Sequence, residues 1–190
     1  MAAMSYAEKA RLSNYEITED SRGNEILIVR NAWMLYKNFA GDPAKNYKPG
    51  DHSRRFSLLL DEPVANDLKN LGWNVKKKDA RNEDEDPYYI TEVTVNLDCL
   101  YPPKFQLYTE LNGQYNEPID IDPADFIKID NGEIRIKAAE VVVSLAKTGG
   151  RYLQELRIYE RPQRTGWLDG DYARKNAYQN DEEMPFEEEE

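Results

Sequence analysis

Aromatic and basic side chains are interleaved between residues 33 and 78 of the chain. Aromatic rings can stack on nucleic-acid bases at about 1 to 3 kcal/mol per base, and Lys and Arg can contact the phosphates. This segment is therefore the candidate binding region, and its chemistry suits a single-stranded nucleic acid. The candidate side chains are Trp33, Tyr36, Lys37, Phe39, Lys45, Tyr47, Lys48, Arg54, Arg55, Trp73, Lys76, Lys77 and Lys78.

Each aromatic residue of this segment is either a core residue or a ligand contact. Phe56 lies in the apolar run FSLLL and is predicted to be core. Trp33 and Tyr36 fit either role. Tyr47 differs from them because it lies in residues 41–51, a basic segment rich in Pro and Gly that predicts a loop. Exposure of a ring in such a loop favours contact with a ligand over packing.

The net charge is unevenly distributed along the chain. The whole chain carries −11, but its last ten residues hold seven acids and no base, so residues 1–180 carry only −4. Residues 30–78 contain ten Lys or Arg and five Asp or Glu, which gives a local charge of +5. Attraction to phosphate depends on charges within about 10 Å, so the acidic total does not exclude nucleic-acid binding.

Most predicted elements are β-strands separated by turn-rich segments. Residues 25–39 predict one long, bent strand, because apolar residues fall on both of its parities. Residues 61–72 predict one short helix, with Asp61 as its N-cap and Gly72 at its C-terminal end. Abundant strands and scarce helix favour a mainly β fold, for which an OB-like Greek-key barrel is the leading choice.

The chain divides into three predicted regions. Residues 1–24 predict an N-terminal arm with at most one short element, and residues 25–161 predict the barrel domain. Residues 162–190 are polar, aperiodic and acidic at their end, which predicts a flexible acidic C-terminal tail. The sequence contains no apolar run of membrane-spanning length, and charges near its N-terminus argue against an export signal. We therefore expect a cytoplasmic protein without membrane contact.

Several segments together resemble a known protein family. GWNVK at residues 72–76 follows the predicted helix, and a strand with the spacing YxxxVxV and then Pro102-Pro103 come later. With the basic segment FAGDPAKNYKPGDHSRRFSLLLD, they resemble the single-stranded DNA-binding proteins of tailed bacteriophages over residues 25–160. The resemblance implies an OB fold, binding of single-stranded DNA without sequence specificity, and action in phage DNA replication and recombination in the host cytoplasm.

The acidic end of the chain carries a second resemblance. DEEMPF is similar to the tip of bacterial single-stranded DNA-binding proteins, in which acids precede an Ile-Pro-Phe end that partner enzymes recognise. Met184 replaces the aliphatic residue, and four Glu follow the Phe. The resemblance implies contact with replication or recombination proteins, whereas a tail that only raises solubility is the alternative. The predicted contact residues are Asp181, Glu182, Glu183, Met184, Pro185 and Phe186.

Other functions stay open at this point. The chain fits an acidic DNA mimic or inhibitor, a structural virion protein, or a metal-dependent nuclease that uses Asp120, Asp122 and Glu133. We interpret the Asp residues as a turn and helix cap, since IDIDPADF lacks the pattern of a Ca²⁺-binding loop. His52 predicts a hydrogen-bonded loop residue and Cys99 a small core residue. We expect no enzymatic activity, metal or cofactor, and assembly into a homo-oligomer is left open.

Overall fold

The structure is a computed structural model that describes residues 3–161. Strands dominate this part of the chain. They are β1 (Asn14–Glu19), β2 (Glu25–Arg30), β3 (Met34–Asn38), β4 (Arg54–Leu60), β5 (Val75–Lys78), β6 (Tyr88–Val95), β7 (Lys104–Tyr108), β8 (Glu110–Leu111), β9 (Gln114–Tyr115), β10 (Ile119–Asp120), β11 (Ile136–Leu145) and β12 (Arg151–Glu160). The α-helices described are α1 (Tyr6–Arg11), α2 (Glu62–Asn70) and α3 (Phe126–Asp130), with 3-10 turns at Pro43–Lys45 and Pro123–Asp125. None of these helices is long and apolar enough to cross a membrane.

Ten of the described strands form one mixed sheet. Its order is β1-β2-β11-β12-β6-β4-β3, with β5 joined to β6, β7 to β12 and β10 to β7. β12 runs parallel to β6 and β7, whereas the other pairs are antiparallel. β8 and β9 form a separate two-stranded hairpin. The prediction of a mainly β fold is confirmed, and the mixed sheet is compatible with an OB-like barrel.

The main core forms from one parity of side chains on the strands. The even-numbered residues of β4 from Phe56 onward lie in it, whereas Leu59 faces the other side of the sheet. Phe39 and Phe56 stack in this core with ring centroids 5.1 Å apart, and Phe105 and Phe126 pack at 4.3 Å. The core position predicted for Phe56 is confirmed, since 1% of this residue is exposed.

The single long strand predicted for residues 25–39 is wrong, because this segment forms two strands with different neighbours. β2 pairs with β1 and β11, whereas β3 pairs with β4. Between them Asn31 has a φ of 54°, a left-handed conformation that interrupts a strand. The parity facing the main core changes at this break, from Leu27 and Val29 to Met34. That change places apolar residues on both parities without one continuous strand.

The N-terminal segment contains more structure than the predicted arm with at most one short element, so that expectation is wrong. A reciprocal capping box between Ser5 and Glu8 starts α1, and β1 pairs with β2 along its whole length. α1 has six residues, too few for its periodicity to stand out in the sequence. It covers an apolar group that we name the second cluster: Ala10, Leu35, Leu59, Tyr88 and Ile90, with Tyr6 and Trp33 packed against it.

α2 forms where the sequence predicted a helix. The Asp61 side chain accepts the amide of Glu62 at 2.9 Å, and Gly72 follows the helix with a φ of 92°. α3 comes after a 3-10 turn in which the Asp122 side chain accepts the amide of Ala124 at 2.9 Å. The interpretation of Asp122 as a turn and helix cap is therefore confirmed. The domain boundaries after residues 24 and 161 stay predictions.

Candidate nucleic-acid interface

The side of β3, β4, β6 and β12 that faces away from the main core carries the candidate interface. Arg55 is the register partner of Thr94, Thr94 is that of Tyr152, and Ser57 lies opposite Glu92. Register partners on neighbouring strands point to the same side of a sheet, so these side chains share one surface. We name this surface, together with the residues that border it, the basic face: Tyr36, Tyr47, Arg55, Ser57, Glu92, Thr94, Arg151 and Tyr152.

Tyr47 lies in the loop between β3 and β4, and 97% of it is exposed. This loop turns at Gly41, where φ is 71° and an added Cβ would lie 2.5 Å from the carbonyl oxygen of His52, so a side chain does not fit. Lys48 is exposed as well, and Lys45 donates from Nζ to a backbone carbonyl of β3 at 3.3 Å. An exposed ring with cations beside it is suited to stacking on a base.

Two asparagines fix this loop to the sheet. The Asn38 side chain donates to the carbonyl of Asp42 at 3.0 Å and accepts the Asp42 amide at 2.8 Å. The Asn46 side chain donates to the carbonyls of Asp51 at 2.6 Å and Ser53 at 3.1 Å. Because the loop is held in place before any ligand arrives, binding loses less conformational entropy.

A buried carboxylate holds the start of the same loop from inside the protein. Asp130 of α3 is 6% exposed and accepts the amides of Phe39 and Ala40, both at 2.9 Å. Lys37 is 1% exposed and donates from Nζ to a carbonyl of α3 at 3.3 Å. Burial raises the pKa of the Asp130 carboxyl above its ordinary value, although the two amides and nearby lysines act to lower it.

Arg55 connects the loop to the sheet surface. Its Nη2 donates to the side-chain oxygen of Asn46 at 2.9 Å, and its Nη1 lies 3.6 Å from the Glu92 carboxylate. The guanidinium also lies 5.9 Å from the ring centroid of Tyr47, within cation–π range. The preceding Arg54 instead donates to a backbone carbonyl and lies over a ring of the main core. Of the two arginines, Arg55 is the one that lies on the basic face.

Tyr36 has a backbone conformation that a strand does not normally contain. Its φ is 52°, and 38% of the residue is exposed. The register between β3 and β4 shifts between Leu35 and Asn38, so a bulge presents this ring at the surface. Positive φ is uncommon for a bulky residue, and such strain concentrates at functional sites. Tyr36 is therefore available to stack on a base.

Trp33, by contrast, is largely taken up by packing. It lies against the second cluster, and the ammonium group of Lys9 from α1 is 5.2 Å from its ring centroid. Its Nε1 is buried and has no hydrogen-bond partner within residues 3–161. The part of this ring that packs against the second cluster is not available to a base.

Other predicted contact residues lie inside the protein. Phe39 is fully buried and Trp73 is 4% exposed, with its Nε1 donating to Glu25 at 3.2 Å. Lys37 is buried too, because the bulge at Tyr36 turns it toward α3 instead of the surface. These side chains support the interface from within and do not reach a ligand on its surface.

Lys76, Lys77 and Lys78 form most of β5 and are exposed; we name them the lysine edge. Lys76 pairs with Ile90 of β6, and Arg55 pairs with Thr94, four residues further along the same strand. Measured along the strands at ~3.3 Å per residue, the lysine edge therefore starts roughly 13 Å from Arg55. Within residues 3–161 these ammonium groups make no ion pair. Ile90 and Tyr88, the register partners of Lys76 and Lys78, belong to the second cluster that α1 covers.

Five residues of the basic face were missing from the sequence prediction: Ser57, Glu92, Thr94, Arg151 and Tyr152. Arg151 donates from Nε to the carbonyl of Glu92 at 2.8 Å, and the ring of Tyr152 packs so closely on Gly150 that an added Cβ would lie 2.5 Å from it. The sequence signal for Arg151 and Tyr152 was a basic and an aromatic residue directly after a Gly-Gly turn. Only the pairing of β12 with β6 brings these residues next to Thr94.

The acids suggested for a nuclease site have other roles. Asp120 lies in β10 opposite Gln106 of β7, Asp122 caps the 3-10 turn, and Glu133 accepts the Asn131 side chain at 3.0 Å. Among residues 3–161, no group of three or more His, Cys, Asp or Glu is placed to hold a metal ion.

His52 and Cys99 are both loop residues in the structure. The Nδ1 of His52 lies 3.2 Å from the carbonyl oxygen of Gly41, which confirms the predicted hydrogen-bonded loop residue. The core position predicted for Cys99 is wrong, because it is exposed in the turn after β6 and its Sγ donates to the carbonyl of Asn96 at 3.4 Å. The predicted partner segment, residues 181–186, lies outside the described residues, as does the rest of 162–190.

Comparison with known proteins identifies a family. The protein-family model described as "Putative phage ssDNA-binding domain" matches residues 18–135, a span that includes Tyr36, Tyr47, Arg55, Glu92 and the lysine edge. Arg151 and Tyr152 follow that span. No curated protein and no solved structure matches the chain.

Proposed function

The chain belongs to the phage single-stranded DNA-binding domain family, and we propose that it is a non-enzymatic protein that holds single-stranded DNA on its basic face. In this proposal bases stack on Tyr36, Tyr47 and Tyr152, while Arg55 and the neighbouring lysines contact phosphates. Stacking and charge act on any base, so binding is largely independent of sequence.

The exposure of Tyr47 is the observation that carries this proposal. A ring that is 97% exposed gains little from packing within its own chain, yet its loop is fixed by Asn38, Asn46 and Asp130. A fixed loop that presents an unpacked ring beside the Arg55 guanidinium is pre-organised for a planar, anionic ligand.

The lysine edge extends the path of the bound strand. From the register on β6, Lys76 to Lys78 lie roughly 13 to 20 Å from Arg55 along the strand direction, at ~3.3 Å per residue. An OB-type domain binds about 4 to 16 nucleotides, so one strand of this length spans both groups of cations.

Replication and recombination of phage DNA in the host cytoplasm are the processes in which we place this activity. Both expose single strands that need protection. The acidic segment at residues 181–186 is proposed to contact proteins of these processes, with Phe186 as the apolar anchor among carboxylates.

A mobility-shift experiment tests the proposed function. Labelled oligo-dT and a duplex of the same length are titrated with the full chain, with and without magnesium. We expect a shift of the single strand that weakens as salt rises, a much weaker shift of the duplex, and no cleavage. Absence of any shift would contradict the proposal, and magnesium-dependent cleavage would favour the nuclease alternative.

The proposed role of the acidic segment needs its own experiment. A pull-down from infected-cell extract compares the full chain with Phe186→Ala, which removes the apolar anchor and keeps every charge. We expect the variant to lose a replication or recombination protein. Recovery of the same proteins by both chains would leave the segment without a demonstrated partner.

A further inference from the structure

Glu92 is the carboxylate among the eight residues of the basic face. Its side chain is 41% exposed, and its contact with Arg55 at 3.6 Å is an ion pair too long for a hydrogen bond. Within residues 3–161 the carboxylate accepts no hydrogen bond. Its oxygens are therefore open acceptors on the proposed DNA-binding surface.

The position of Glu92 is fixed by its strand. Its neighbours Thr91 and Val93 are buried, and Arg151 donates to its backbone carbonyl at 2.8 Å. The guanidinium of Arg55 lies between the Tyr47 ring and the Glu92 carboxylate. A base bound to the basic face beside Arg55 therefore has the exposed Glu92 carboxylate within reach.

The chemistry of a carboxylate distinguishes among bases. An ionised carboxylate only accepts hydrogen bonds, and it repels phosphate. Cytosine, adenine and guanine carry exocyclic amino groups that donate to such an acceptor, whereas thymine has a single ring N–H donor flanked by two carbonyl oxygens, which a carboxylate repels.

We propose that Glu92 makes the basic face prefer bases with an exocyclic amino group over thymine. This inference rests on the proposed function and specifies which single strands that surface binds best. The preference is one of base composition at a single subsite, so binding elsewhere along the strand stays independent of sequence. The simpler alternative is that Glu92 only neutralises Arg55.

The ratio of two affinities separates these roles. Fluorescence anisotropy measures binding of the full chain to oligo-dC and oligo-dT of equal length at one salt concentration. We expect the wild type to bind oligo-dC about 3- to 10-fold more tightly, a partial form of the discrimination that a well-placed hydrogen bond gives. Glu92→Gln should bring the ratio close to one and raise the affinity for oligo-dT, because the amide also donates and no longer repels phosphate.

Two further variants support the interpretation. Glu92→Asp keeps the charge but shortens the side chain, so the ratio should fall without a gain in oligo-dT affinity. Glu140→Gln is the matched control, since Glu140 is a half-buried carboxylate paired with Arg157 at 3.3 Å outside the basic face. It should leave the ratio at its wild-type value, and thermal unfolding confirms that each variant is folded.

The outcomes are distinct. Equal gains in affinity for both oligonucleotides in Glu92→Gln, with the ratio preserved, would show a counter-charge and overturn the inference. A wild-type ratio of one would overturn it as well, while leaving the proposed function intact. If neither oligonucleotide binds the wild type, the proposed function itself fails and the inference fails with it.

Discussion

Among residues 3–161, a second surface combines tyrosines with cations as the basic face does, but the rings contact one another less on the basic face. There Tyr47 is almost wholly exposed, and Tyr36 is exposed at a bulge. On the second surface, formed by β7, β9, β11 and β12, the rings contact one another instead. The Tyr108 and Tyr159 rings stack with centroids 4.7 Å apart, and the edge of Tyr115 meets Tyr159 at 5.1 Å. We name this trio and its charged neighbours the tyrosine face.

The tyrosine face and the lysine edge also differ in their ion pairs. On the tyrosine face Arg157 contacts Glu155 at 2.7 Å and Glu140 at 3.3 Å, and Lys137 contacts Glu110 at 3.3 Å. The lysine edge makes no ion pair within residues 3–161. Residue types alone therefore do not identify a DNA-binding surface. What matters is whether rings and charges are already satisfied within the chain.

Removing the unpaired lysines should have the largest effect. Replacement of Lys76, Lys77 and Lys78 by Ala should weaken oligo-dT binding by about one to two orders of magnitude at low salt. It should also reduce the slope of log affinity against log salt by about 2, since each phosphate contact on a single strand contributes about 0.7. Binding titrations at several salt concentrations measure both quantities.

The matched control removes cations of the other surface. The double variant Lys104→Ala, Lys137→Ala removes one lysine from β7 and one from β11, two strands of the tyrosine face. The slope should stay at its wild-type value. An equal loss of slope in this control would show that binding depends on total charge, and the comparison between the surfaces would fail.

Tyr47→Ala and Tyr108→Ala should separate binding from stability. Loss of the exposed Tyr47 ring should cost about 1 to 3 kcal/mol of DNA affinity and leave the free energy of unfolding almost unchanged. Loss of Tyr108 should lower the free energy of unfolding by about 2 kcal/mol, because its stacked partner loses contact, and leave affinity unchanged. Urea unfolding and anisotropy titration of both variants provide the four measurements. A destabilised Tyr47→Ala with normal affinity would contradict the proposed role of this ring.

Asp130→Asn tests how far the basic face depends on its internal support. Asparagine keeps one acceptor oxygen, so one amide of the loop loses its partner, at a cost of about 1 to 3 kcal/mol in unfolding free energy. DNA affinity should fall as well, since this loop carries Tyr47, whereas the tyrosine face should be unaffected.

The difference in unfolding free energy between the wild type and this variant should also depend on pH. Burial raises the pKa of Asp130 in the folded protein, so the native state binds more protons than the unfolded chain in this range. The stability advantage of the wild type over Asp130→Asn should therefore be largest below the unfolded pKa and decline as pH rises through the folded pKa. Urea unfolding of both proteins across this range measures the gap. A gap that widens with rising pH would show that the hydrogen bonds outweigh burial.

The sequence was most informative where a local signal was sufficient. The cap at Asp61 and the Gly after the helix defined α2, and the composition of its loop predicted the exposure of Tyr47. The break at Asn31 was not predictable in this way, because the apolar pattern continues across it. Lys37 shows the same limit: it belongs to a basic segment, but the bulge at Tyr36 turns it into the interior.

The remainder of the candidate site depends on pairing between distant strands. Glu92, Arg151 and Tyr152 join Arg55 only because β6 lies between β4 and β12. Trp33 is covered by α1, a helix whose packing on the second cluster has no counterpart in the local pattern. Such relations are set by tertiary structure, so a reading of one segment at a time could not find them.

Tyr36→Gly should have the smallest effect on DNA affinity, and it tests whether an exposed, strained ring of the basic face serves binding or only the fold. Glycine relieves the left-handed conformation, worth about 1 to 2 kcal/mol, but loses ring packing and adds about 0.5 to 1 kcal/mol of chain entropy on unfolding. These contributions largely cancel, so the free energy of unfolding should change by less than about 1 kcal/mol. Oligo-dT affinity should fall by about 1 kcal/mol, because one stacking ring is lost.

The matched control is Asn112→Gly, a residue with a φ of 53° in the turn between β8 and β9, whose replacement should leave affinity unchanged. If Tyr36→Gly binds oligo-dT as tightly as the wild type, the strained ring serves only the fold, and Tyr47 must supply the stacking on this side of the basic face.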